Sequence, residues 1–202
     1  GGFSALGRYW HGNIFYPEPL TLAYSEHFTA QMLQALPVLA ATDNVVLSYN
    51  LLFLSTFVLS GLGMFLLVRD ITGRPIAAFV AGLAFAFAPY RIDQWSHLQV
   101  LSSQWMPFVL YAFRRYFETG RRRALVGGSA ALIAQNLSCG YYVMFFSPFV
   151  AAYVLYEMTT RRRLGDWAAW RAFGIAGIVV ALVTLPFLTP YLEVRNSGAV
   201  SY

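Results

Sequence analysis

The sequence predicts an all-α fold: a polytopic transmembrane helix bundle of about six spans, with an N-terminal outer loop and a short interfacial helix. Three observations predict it. The chain has 202 residues, 58% of them hydrophobic and only 11% charged, where soluble domains carry about 25% charged. The apolar residues collect into long runs, and lipid is the solvent such runs require. Aromatic residues reach 17%, in keeping with Trp and Tyr marking the places where helices leave the hydrocarbon. The net charge is +5, but the basic residues are all Arg and sit in short clusters between apolar segments. That placement orients membrane helices and argues against nucleic acid as a partner.

The elements follow in chain order. Residues 1–24 read as irregular loop, with Pro17 and Pro19 bracketing Glu18. From Ser25, a plausible N-cap, the pattern turns helical. Phe28, Met32, Leu33 and Leu36 share one apolar face, while Glu26, His27, Gln31 and Gln34 take much of the other. About twelve residues cannot span a bilayer, so this helix is expected to lie in the membrane interface and to end or kink at Pro37. Asp43 is expected to cap the next helix. Val45–Val68 is long enough to span. Pro75–Ala88 reaches about 21 Å, short of a hydrocarbon core of about 30 Å. Leu98–Phe117 qualifies, Ala124–Ser138 is short again, and Gly140–Met158 and Ala172–Thr189 both qualify. Pro107 and Pro148 fall inside spans. Gly61 with Gly63, and Gly127 with Gly128, permit close helix packing.

This gives an outer loop over 1–44, a bundle over 45–189, and the start of a further outer loop over 190–202. The chain is read as a fragment of a longer protein. Arg69 and Arg74, then Arg114, Arg115, Arg121, Arg122 and Arg123, then Arg161, Arg162, Arg163 and Arg171 form three clusters. Placing all three on the cytoplasmic side is self-consistent, because two helices separate each cluster from the next. Arg8, Arg91 and Arg195 then lie outside, as do all three histidines.

Polar groups near a membrane are costly and few, so their positions carry information. Glu18 lies in Tyr16-Pro17-Glu18-Pro19-Leu20, where the prolines fix the backbone on both sides. Glu26-His27 opens the interfacial helix; the acid either complements the helix N-terminus or, beside a His, serves a metal or phosphate site. Pro89-Tyr90-Arg91-Ile92-Asp93-Gln94-Trp95-Ser96-His97 follows a helix too short to reach the outer surface. Non-helical backbone below that surface must be buried or line a wet cavity. There Arg91 can bind a phosphate by a bidentate fork, and Asp93 can ligate a divalent cation or pair with Arg91. Gln135 and Asn136 can hydrogen-bond a sugar or head group. Cys139 has no partner for an internal disulfide and reads as a packing residue. P-loop, dinucleotide, HExxH, GxSxG and CxxC patterns are lacking, which argues against a soluble-type ATPase or a zinc protease.

The arrangement resembles the GT-C glycosyltransferases, polytopic enzymes that use polyprenyl-phosphate sugars. Protein O-mannosyltransferases and the aminoarabinose transferases of lipid A are among them. Tyr16-Pro17-Glu18-Pro19-Leu20 is similar to their aromatic–acid–Pro–Leu stretch. Glu26-His27 resembles the acidic–basic pair they use at the lipid phosphate, and Asp93 occupies their second-loop position. The resemblance implies sugar transfer from a polyprenyl-phosphate donor on the outer face of a bacterial plasma membrane. It implies catalytic roles for Glu18, Glu26 and Asp93. Donor phosphate would be bound by His27, Arg91 and His97, and Glu26 with Asp93 would hold a divalent cation, Mg or Mn. The family's catalytic base is an acid early in the first loop. Residues 1–17 contain no Asp or Glu, so that base is expected upstream. Basic partners in the motif are usually Lys, and here they would be His27 or Arg. A membrane transporter or lipid flippase, or a non-catalytic membrane scaffold, are the competing readings.

Overall fold

The computed structural model describes residues 9–11 and 20–197. All regular structure among them is helical. After a 3-10 turn at Thr21–Tyr24 come ten helices: α1 (Thr29–Thr42), α2 (Val45–Thr72), α3 (Pro75–Ala86), α4 (Pro89–Asp93), α5 (Leu98–Leu101), α6 (Trp105–Thr119), α7 (Arg122–Asn136), α8 (Gly140–Thr160), α9 (Trp167–Thr184) and α10 (Thr189–Ser197). Four stretches are long and apolar enough to cross a membrane: Val45–Thr72, Pro75–Asp93, Gly140–Thr160 and Trp167–Phe187.

Sorting of residues by size explains why these helices assemble. The buried positions of α2 are Ser48, Leu52, Thr56, Ser60, Gly63 and Leu67, a stripe of mostly small side chains at helical spacing. Large apolar side chains face outward instead: Ile76 is 80% exposed, Met144 and Phe145 72% each, and Leu182 69%. Water would not tolerate so much exposed apolar surface, whereas lipid does. Small residues set the closest approaches. A Cβ on Gly82 would lie 2.7 Å from the Gly61 carbonyl oxygen, joining α3 to α2, and one on Gly128 would lie 2.3 Å from the Phe113 ring, joining α7 to α6. Gly127 faces open space. The apolar core gathers Val109, Phe113 and Phe117 with Phe146, Val150, Val154 and Met158.

Four local expectations are corrected. Leu98–Phe117 is not one helix, because Ser102 and Ser103 leave helical geometry between α5 and α6. Pro107 therefore lies in the first turn of α6, where its missing N–H is no loss, and does not kink a span. The helix expected from Ser25 begins at Thr29 and runs through Pro37 to Thr42. Ser25 instead follows the 3-10 turn. Asp43 does not cap α2. It ends α1 with φ 50°, and Asn44 accepts the Leu47 N–H at 2.9 Å.

The bundle has two chemically different ends. At one, Arg114, Arg115 and Arg161 meet Asp70, Glu118 and Glu157. Arg114 Nε lies 2.9 Å from Asp70 Oδ2, and Arg161 Nε lies 2.5 Å from Glu157 Oε2. Buried Glu157 also accepts from the Tyr153 hydroxyl at 2.8 Å. The opposite end gathers α1, the segment 94–104, the 136–140 turn and α10.

Candidate functional site

That second end is built around the break between α5 and α6. Arg91 is 4% exposed and its guanidinium holds the break in place. Nε donates to the Ala86 carbonyl at 3.0 Å, Nη1 to the Leu101 carbonyl at 2.8 Å and to Ser103 Oγ, and Nη2 to the Thr56 carbonyl at 3.2 Å. Ala86 and Leu101 are the last residues of α3 and α5, so one cation satisfies two helix C-termini. Its charge also lies over the Phe57 ring, 5.3 Å from the centroid. No acid pairs with it among the described residues. The Arg91–Asp93 pair considered from sequence is not formed.

Around this staple lies a buried layer of amides and hydroxyls. Gln104 Nε2 reaches Gln34 Oε1 at 3.4 Å, and Gln34 donates to Ser55 Oγ at 2.6 Å. Gln135 donates to the Ser102 carbonyl at 2.8 Å, and Gln31 to the Ser138 carbonyl at 2.7 Å. Gln31, Gln104 and Gln135 are each at most 2% exposed. Thr56 lies thirteen residues along α2 from Arg69, about 20 Å at the α-helical rise. If α2 crossed a hydrocarbon core of about 30 Å with Arg69 at one surface, this layer would sit some 10 Å below the other. The irregular backbone at Ser102 and Ser103 is a recess of the helical framework only, filled by buried side chains, where non-helical backbone is tolerated at membrane depth.

Glu26 sits at the mouth of α8. Its Oε2 accepts the Gly140 N–H at 2.6 Å, so the carboxylate supplies the negative charge that the helix N-terminus favours. Burial raises its pKa, outweighing the lowering by that N–H and by Cys139. His27 is 3% exposed and ringed by Trp10, Phe187 and Tyr191, with centroids 5.7, 5.5 and 6.1 Å away. Its Nδ1 accepts the Thr29 N–H at 3.2 Å, which leaves the proton of the neutral ring on Nε2. Desolvation pushes its pKa down to about 4. At neutral pH it is an uncharged packing group.

Asp93 and His97 are exposed. Asp93 takes a 3.2 Å hydrogen bond from Gln94, and His97 Nδ1 lies 3.2 Å from Ser96 Oγ. Glu18 lies outside the described residues. The structure thus divides the proposed set: Glu26, His27 and Arg91 are built into the walls, while Asp93 and His97 are presented outward. No group of three His, Cys, Asp or Glu side chains that could hold a metal ion occurs among the described residues. Sequence reasoning missed the aromatic ring around His27 and the part Gln104 plays. Ser102-Ser103-Gln104, a polar triplet inside an apolar run five residues before Pro107 at its start, was the available signal.

The geometry defines an all-helical protein, among the described residues, with four helices apolar and long enough to cross a membrane and with a buried polar layer at one end. The chain belongs to the family described as Domain of unknown function (DUF6311), whose model matches residues 13–202. No curated protein and no solved structure matches it.

Proposed function

We propose that this chain is part of a membrane glycosyltransferase, moving a sugar from a polyprenyl-phosphate donor to an acceptor on the outer face of a bacterial plasma membrane. The observation that carries the reading is the recess: a helix interrupted below the membrane surface, backed by a buried amide layer and flanked by an exposed acid and imidazole. Such a place suits a polar head group on a lipid tail, with the exposed acid and imidazole meeting the head group and the tail remaining in lipid. In this reading α6 and α7, each 15 residues, cross with the four longer stretches and make six spans. Their outer ends stop at the recess because they are about 22 Å long. The arginine-bearing end is cytoplasmic.

Asp93 and His97 face the donor, Asp93 to handle a proton and His97 to bind phosphate. Glu26, His27 and Arg91 act as positioning residues that hold the walls. Glu26 and Asp93 on their own make too few ligands for a protein-held cation, so no step is assigned to one. The interrupted helix equally suits a transporter with discontinuous helices at its site, and turnover separates the two.

The test uses the full-length protein, reconstituted with a mixed pool of polyprenyl-phosphate sugars with and without divalent cation. Wild type should release polyprenyl phosphate. Asp93→Asn should lower release on the order of a hundredfold with the melting temperature unchanged, because Asp93 is exposed. Release from no donor would contradict the reading and favour a transporter or scaffold.

A further inference from the structure

Seven arginines at the ion-paired end have no acid partner among the described residues: Arg69, Arg74, Arg121, Arg122, Arg123, Arg162 and Arg171, all exposed. Nearby, Asp70, Glu118 and Glu157 are spent on Arg114, Arg115 and Arg161. Two of the seven each precede, by one helical turn, a residue that lines a groove. A cavity of about 290 Å³ runs between α7 and α9, lined on α7 by Val126, Ala130 and Ile133 and on α9 by Ile175, Ala176 and Val179. Arg122 lies one turn before Val126, and Arg171 one turn before Ile175. Side chains at i and i+4 share a helix face, so each arginine is placed at the same end of the groove. Val126 is 66% and Ile175 57% exposed, and the groove is open to its surroundings.

The charges there are unfavourable as they stand. Arg122 begins α7, where the helix end is already positive, and the first turn of α7 contains no acid. Arg171 on the neighbouring helix adds a second cation at that end. An anion between the two would relieve both, and the strip below it is apolar. Trp167, 74% exposed, adds an amphipathic ring of the kind enriched at head-group level.

We propose that the α7–α9 groove binds an anionic phospholipid, its phosphate between Arg122 and Arg171 and one acyl chain along Val126, Ala130 and Ile175. The site lies at the opposite end of the bundle from the recess, and it rests on the reading of these helices as membrane spans. The full-length protein in detergent is given phosphatidylglycerol or phosphatidylcholine of identical chains, and retained lipid is counted by native mass spectrometry. Wild type should retain phosphatidylglycerol preferentially. Arg122→Gln and Arg171→Gln should each weaken retention about fivefold, and about 25-fold together. Ala130→Trp, at an exposed position, should also weaken it by filling the groove. The equally charge-reduced pair Arg69→Gln/Arg74→Gln should leave retention within about twofold. Equal retention of both lipids, or an equal loss in the Arg69/Arg74 pair, would overturn the site. Retention of neither lipid would overturn the site while leaving the membrane reading, which rests on helix length and apolarity, in place.

Discussion

His27 carries a pH dependence that can be measured. Its folded pKa is about 4 against an ordinary 6.5, so the unfolded chain binds the extra proton first. Stability is fully present above about 6.5 and is lost as pH falls toward about 4, by on the order of 3 kcal/mol at most. Glu26, whose pKa is raised, works in the opposite sense: its contribution is present below about 4.5 and declines as pH rises through the raised value. Thermal melts from pH 7 to 4 should fall steeply in wild type and more gently in His27→Gln; identical slopes would refute the buried neutral imidazole. Arg91→Gln should cost on the order of 3 kcal/mol, because carbonyls at two helix ends lose charged donors. Glu26, His27 and Arg91 were legible from sequence as unusual residues, but not in their roles. Nothing in the order Glu26-His27 reveals that Trp10, Phe187 and Tyr191 close around the ring, since those contacts span most of the chain. Likewise, the neighbours in sequence of Arg91 suggest Asp93 as its partner, while folding supplies Thr56, Ala86 and Leu101.

Helices show where local patterns sufficed. Gly73 and Gly120 end α2 and α6 at φ 67° and 65°, the left-handed conformation that favours glycine. Pro75 opening α3 was readable in the sequence, while the two glycine ends lie four and two residues past the expected ones. Hydrophobic runs located α2 and α8 to within a few residues, and α9 with a shift of five residues at each end. They failed at Leu98–Phe117, because averaging over an apolar run conceals three polar residues whose burial depends on Arg91 and Gln135. At Pro37 the sequence allowed either an end or a kink, and neighbouring packing decides between them; the helix continues to Thr42. At Gly128 the packing is exacting. Gly128→Ala drives a methyl into the Phe113 ring and should destabilise the protein by about 1–3 kcal/mol, whereas Gly127→Ala, facing open space, should be neutral or slightly stabilising. Paired melting curves of the two variants check this, and equal effects would contradict the α6–α7 packing.

Across the whole molecule, charge is segregated to the two ends and the middle is packed with small and apolar side chains. The ion-paired end ties α2, α6 and α8 together through Asp70, Arg114 and Glu157. Glu157→Gln leaves Arg114 and Arg161 short of a counter-charge and should cost about 3 kcal/mol, measurable by denaturant or heat. The two-ended arrangement was readable in the sequence because arginine clusters alternate with apolar runs. The depth of the recess was not, because it depends on Arg91 reaching Thr56. That depth is the central claim, and spin labels measure it directly. Nitroxides are placed at His97→Cys and at Asn44→Cys, in a Cys139→Ala background in bilayers, and their accessibility to oxygen and to an aqueous nickel chelate is compared. The recess predicts that position 97 lies nearer the bilayer centre than position 44, yet remains open to the aqueous chelate. Equal depth at the two positions would mean an ordinary surface loop and would contradict the account.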